Sequence, residues 1–270
     1  MRNLIFKFLI LAGLAANLAA VDYTDEIKKL EQSCKKTSSA CYQLGLNYLN
    51  GNMVDENLSV AFEYFMLSCK KGLNEGCFSG ALMLDSGLGT QKDKFASFEL
   101  FKKTCAKKVT IGCENLGKAY EEGVAVRQDM DKAVEIYKNN CDKNGILSSC
   151  VRLGEIYLNG KLNVKADIAS SEKYLKKACD KGYQNVCATM SEFYFNGNFF
   201  EKSVEKGFSY LDKDCLNGVS ESCQKLGLMY LNAVNTAIDV VKAKEYFGKS
   251  CDLRNPKGCE SYRILNENGM

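Results

Sequence analysis

The chain has no histidine, no tryptophan and a single proline in 270 residues. Without histidine there can be no Ser-His or Cys-His catalytic pair, no histidine-ligated zinc and no imidazole pH switch. Scarce proline removes the commonest interruption of a helix. The net charge is only +3, and Arg2 and Lys7 supply two of those positives. Such a balance gives no electrostatic footprint for a polyanion, so no nucleic-acid partner is expected. No Cys-x-x-Cys occurs, which excludes the usual thiol–disulfide oxidoreductase motif. Neither a metal nor a cofactor is expected.

Against these absences stand fourteen cysteines. The N-terminus suggests the compartment that would oxidise them. Arg2 and Lys7 flank a largely apolar run from Leu4 to Leu14, and small residues follow, ending in Ala19-Ala20. Residues 1–20 therefore read as a secretory signal peptide cut after Ala20. A secreted or periplasmic protein is expected, with no stable membrane anchor after cleavage. Disulfides persist in such compartments.

The cysteines fall in pairs seven to nine residues apart, and the pairs recur every 35 to 38 residues. Cutting at the second cysteine of each pair divides the chain into six repeats, 41–76, 77–112, 113–149, 150–186, 187–222 and 223–258. Residues 21–40 remain as an N-terminal cap helix and 259–270 as a C-terminal half-repeat. The repeats agree beyond their cysteines. Four positions after the opening cysteine stands a small residue: Gly45, Ala81, Gly117, Gly154, Ser191 or Gly227. Three further on is Tyr48, Leu84, Tyr120, Tyr157, Tyr194 or Tyr230. A second small residue recurs later, from Ala61 to Ala243, followed four on by Phe65, Phe101, Tyr137, Leu175, Leu211 or Phe247.

Offsets 0, 3, 4 and 7 from the opening cysteine form one helix face. A glycine after that face, such as Gly51 or Gly160, suits a helix C-terminus. A second helix, for example Leu58 to Cys69, then runs to the closing cysteine. Each repeat is a helix–turn–helix that buries its apolar face only against its neighbours. The expected fold is all-α, an α/α solenoid of six tandem repeats with capping helices. The short turn between one repeat's second helix and the next repeat's first brings two cysteines together. That selects seven bridges: Cys34–Cys41, Cys69–Cys77, Cys105–Cys113, Cys141–Cys150, Cys179–Cys187, Cys215–Cys223 and Cys251–Cys259.

The motif Leu-Gly-x-x-Tyr-x-x-Gly, clear from Leu153 through Tyr157 to Gly160, resembles the Sel1-like repeat, a relative of the tetratricopeptide repeat. With a signal peptide and a cysteine pair in every repeat, the chain looks like the Helicobacter cysteine-rich protein family. That resemblance implies secreted or periplasmic interaction proteins, and also a β-lactamase or penicillin-binding activity acting on penicillin- or cephalosporin-type β-lactams. The second repeat departs most, with Gly80-Ala81 for Leu-Gly and Leu84 for Tyr.

The residues themselves show no β-lactamase machinery. Ser-x-x-Lys occurs at Ser33, Ser68, Ser170, Ser203 and Ser222, but Ser-Asp-Asn and Lys-Thr-Gly do not occur. Glu121 and Glu122 adjoin at a helix end and are expected to be solvated. A binding groove along the first helices is the alternative. Offsets 2, 5 and 9 point away from the core stripe and vary between repeats. Gln43, Asn50, Asn115, Arg152, Glu155, Asn159, Asn196, Lys225 and Asn232 are the polar candidates there. Asparagine can donate to and accept from a peptide backbone. Equally, Asn50, Asn159 and Asn196 could serve only to end their helices. The expected partner is a peptide, a protein or a peptidoglycan fragment, bound by a monomer.

Overall fold

The computed structural model describes residues 24–269. The expected signal peptide, residues 1–20, and its expected cleavage after Ala20 lie outside the described residues. Those residues form fourteen helices and no strand beyond one isolated bridge, Lys161 with Val164. The fold is an all-α solenoid, and its described residues divide into two compact units, 24–100 and 101–269. Within the described residues none of the helices is long and apolar enough to cross a membrane.

The N-terminal unit holds α1 (Thr24–Cys34), α2 (Ser38–Asn50), α3 (Leu58–Lys70), α4 (Asn74–Ser86) and the start of α5 (Lys94–Ala106). Ile27, Cys34, Cys41 and Leu44 form one core cluster, and Ala61, Phe65 and Met83 another. The C-terminal unit holds α6 (Thr110–Glu122), α7 (Met130–Lys143), α8 (Leu147–Asn159), α9 (Ile168–Asp180), α10 (Val186–Asn196), α11 (Val204–Leu216), α12 (Ser220–Leu231), α13 (Val240–Asp252) and α14 (Pro256–Glu267). Its largest cluster runs without a break from Met130 to Phe200 across three repeats, because each hairpin covers the apolar face of the next.

The recurrent small residues explain how the helices of a hairpin approach. A Cβ on Gly117 would lie 2.7 Å from the Tyr137 ring. In the fifth repeat the roles are exchanged. Ser191 replaces the first glycine, and the second helix supplies Gly207 instead, where a Cβ would lie 2.5 Å from Phe195. The tyrosine at offset 7 is half-buried in Tyr48, Tyr157 and Tyr230 and stacks on a tyrosine of the second helix.

The two helices of a repeat start differently. Every second helix carries a polar cap: Asn57, Asp93, Asp129, Asp167, Ser203 or Asp239 accepts from the backbone N–H three residues on. Each such cap contributes about 1 kcal/mol. First helices begin up to three residues ahead of the opening cysteine, as in α8, which starts at Leu147. Their entry is set by the turn from the preceding helix. In six of the seven turns a residue takes the left-handed conformation and the next returns a hydrogen bond, as Leu73 N–H does to Ser68 O at 3.1 Å. This closure brings each cysteine pair to Cα separations between 4.4 and 4.9 Å, and seven disulfides result.

The left-handed residue is Gly72, Gly145, Gly182 and Gly218 in four of these turns, but Lys108 and Arg254 in two. A side chain in that conformation costs about 1–2 kcal/mol. Arg254→Gly, at φ 63°, should therefore raise stability by about 1 kcal/mol, despite the larger entropy of glycine in the unfolded chain. Thermal unfolding of the oxidised protein reads the shift. An unchanged or lower midpoint would mean that Arg254 contributes contacts that outweigh its backbone strain.

Candidate functional site

The most elaborate polar arrangement belongs to the C-terminal unit and centres on Glu121, the penultimate residue of α6. Its side chain is 1% exposed, which corrects the expectation that the Glu121-Glu122 pair is solvated. Glu122, one residue on, is exposed as expected. The reason is directional. A 100° step around the helix turns Glu122 outward and Glu121 toward α7 and α8.

Three donors meet the Glu121 carboxylate. The Tyr137 hydroxyl on α7 donates at 2.9 Å, Arg152 Nε on α8 at 3.0 Å, and Lys161 Nζ from the loop before α9 at 2.6 Å. Arg152 Nη2 makes a further bond to Glu121, and its Nη1 reaches Glu155 at 2.7 Å. Burial pushes the Glu121 carboxyl upward, but the hydrogen bonds from Arg152, Lys161 and Tyr137 together outweigh it and hold the group down at about 2. Burial and the neighbouring Glu121 charge push the Tyr137 phenol well above its ordinary value. The carboxylate thus stays ionised and the phenol stays protonated, and both are fully engaged.

Beside this network lies an open cavity of about 490 Å³. Buried Tyr137, Glu121 and Ser149 line it, together with the more exposed Glu114, Asn115, Lys118, Glu122, Ser148 and Arg152. Ser148 donates to the Glu114 carboxylate across one repeat. Pockets of this volume suit a small ligand or one side chain of a larger one.

Sel1 repeats match at residues 38–73, 77–109, 110–141, 147–183, 186–218 and 220–255, which is most of the chain. The chain belongs to the Sel1 repeat family. Among solved structures, this Sel1-repeat chain is similar to a protective antigen of uropathogenic Escherichia coli, at 25% identity and a TM-score of 0.67. That match covers 92% of this chain but 52% of the antigen, so the chain spans about half the antigen's length. A Sel1 repeat protein from Oxalobacter formigenes shares the fold at 18% identity and a TM-score of 0.68, with 90% of this chain and 70% of that one covered. Helicobacter pylori cysteine rich protein B matches at 26% identity over 49% of this chain and 94% of its own, with a TM-score of 0.35. No curated protein matches.

Within the Sel1 frame the candidate groove residues separate. Gln43, Asn50, Glu155, Asn159, Asn196 and Asn232 are exposed, and Asn115, Arg152 and Lys225 are half-buried. Asn115 and Arg152 meet at the cavity, and Glu155 joins them through Arg152. Lys225 pairs instead with Glu192 at 3.0 Å, farther along the same unit. Gln43 and Asn50 belong to the N-terminal unit. Asn50, Asn159 and Asn196 are the last residues of α2, α8 and α10, and Asn159 Nδ2 donates back to Glu155 O at 3.4 Å.

The five Ser-x-x-Lys serines have local work. Ser33 donates to Lys29 O, Ser68 to Ser38 O, Ser170 to the Asp167 carboxylate and Ser222 to the Asp214 carboxylate. Ser203 caps α11. Each hydroxyl is engaged in building a helix or joining two, as the repeat pattern alone would require.

Sequence reasoning missed Glu121, Tyr137, Lys161, Glu114, Ser148 and Ser149 as site residues. A signal existed. At offset 8, where Glu121 stands, four other repeats have Leu49, Leu158, Phe195 and Leu231. The second repeat has Asp85 there, and its partner is Lys94 at 2.6 Å. An acid at a position that is apolar in most repeats points to a charged partner.

Proposed function

We propose that this Sel1-repeat scaffold is exported and binds an extended peptide, a segment of a partner protein or of the cell wall, along the first-helix face of its C-terminal unit. The observation that carries the reading is the α6–α8 cavity, an open, polar recess on a face held rigid by the Glu121 network. Rigid recognition surfaces lose less entropy on binding. Polar side chains at Asn115, Asn159 and Asn196 offer donors and acceptors to a peptide backbone. Seven disulfides fit an oxidising compartment, which supports export.

Hydrogen exchange of the oxidised full chain, with and without a pool of defined unstructured peptides, tests this. Added protection should gather on α6, α8 and α10, at least severalfold in rate, and leave α7, α9 and α11 unchanged. Protection confined to the second helices, or none with any peptide, would contradict the reading.

A further inference from the structure

We propose that the α6–α8 cavity is a subsite for one basic side chain, lysine or arginine, of the bound peptide, with the Glu114 carboxylate as its charge partner. This rests on the peptide reading above. The cavity's cations are already committed. Arg152 gives its Nε and Nη2 to Glu121 and its Nη1 to Glu155, and Lys118 faces Glu122 at 3.9 Å. Lys161 also reaches Glu121. Glu114 has no cationic partner among the described residues. It is half-buried and accepts from the Ser148 hydroxyl, which positions it but leaves most of its acceptor capacity open.

Ser149 supplies an independent indication. It is 1% exposed and lines the cavity, yet its Oγ has no hydrogen-bond partner. A buried hydroxyl without a partner calls for a missing one. The residue before the other opening cysteines is Ala40, Gly76, Gly112, Val186 or Gly258, none with a polar side chain, or Ser222, whose hydroxyl bonds Asp214 at 2.5 Å. Ser149 is therefore a buried hydroxyl at the cavity wall whose bonding, unlike that of Ser222, is unmet. An ammonium carries three donors and a guanidinium five, and neither accepts. Such a group can serve Glu114 and the Ser149 oxygen together. An anionic ligand would meet the Glu114 carboxylate while each cation of the cavity already faces a carboxylate of its own, so charge discriminates against it.

The test uses the oxidised full chain, isotope-labelled for amide NMR. It is titrated with the blocked tetrapeptide Ala-Ala-Lys-Ala, with versions carrying arginine, norleucine or glutamate in place of lysine, and with n-butylammonium. The expected result is movement of the Asn115, Ser148 and Ser149 amide signals, with lysine and arginine peptides at least about tenfold tighter than norleucine. Glu114→Gln should abolish that preference, and Glu122→Gln should keep most of it. Circular dichroism confirms that both variants fold. If lysine and norleucine peptides bind alike along the first helices, the peptide reading stands and the subsite is overturned. If butylammonium moves Ser149 in a Glu114-dependent way while no peptide binds, the cation site is supported and the peptide reading fails. If neither ligand moves Ser149, the subsite is overturned.

Discussion

Glu121→Gln is expected to lower the stability of the C-terminal unit by about 3 kcal/mol, near the lower end for breaking a buried ion pair. The lower end applies because Arg152 and Lys161, left without their carboxylate, are 40% and 38% exposed and can recover water. The amide can accept from at most one or two of the donors now converging, and its own N–H groups would face Arg152 and Lys161. Arg152→Met should cost less, since Lys161 and Tyr137 still hold the acid. The pH dependence separates charge from shape. The folded-state value of about 2 lies below the ordinary 4.5, so the stabilisation is complete above about 4.5 and is lost as pH falls toward 2. Denaturant titrations at pH 7 and pH 3 should show a smaller difference between the two proteins at pH 3. An equal difference at both would mean that the packing of Glu121, and not its charge, matters.

Phe247→Ala should cost about 4 kcal/mol. The ring is fully buried, and it lies against Gly227, where a Cβ would come within 2.5 Å. Nothing small can collapse into the space it vacates, because the partner already lacks a side chain. The loss should be local. Ala243, Phe247 and Leu265 form their own cluster, so faster hydrogen exchange is expected in α12, α13 and α14 and little change in α8. Equal acceleration throughout the C-terminal unit would show that its repeats unfold as one block, and the nearest-neighbour description would then fail for this chain.

The Glu121 network repeats, inside one chain, the logic of a compensated pair. At the position of Tyr137 the other repeats have Phe65, Phe101, Leu175, Leu211 and Phe247. The one hydroxyl at this aromatic position stands in the same repeat as the one glutamate at offset 8, and the two are bonded. The following repeat has an extra residue, and Ser171 stands one position later than its counterparts. The loop that precedes it forms the Lys161–Val164 bridge, from which Lys161 reaches Glu121. Three departures from the repeat consensus, the acid, the phenol and the longer loop, therefore meet in one feature.

What the sequence determined by itself was local and periodic: fourteen cysteines in pairs, a period near 36 residues, helix faces at offsets 0, 3, 4 and 7, and glycine where a helix must end. These follow from short-range sterics, and one turn suffices to bring a cysteine pair together. Which polar residues meet was decided by the tertiary structure. Tyr137, Arg152 and Lys161 come from 16, 31 and 40 residues beyond Glu121. No periodicity within α6 reveals whether its penultimate side chain meets water or α8. Read locally, Glu121 is one of two acids at a helix end. The stacking of the next repeat removes water from Glu121 alone, and only there do two cations and a phenol become its solvent.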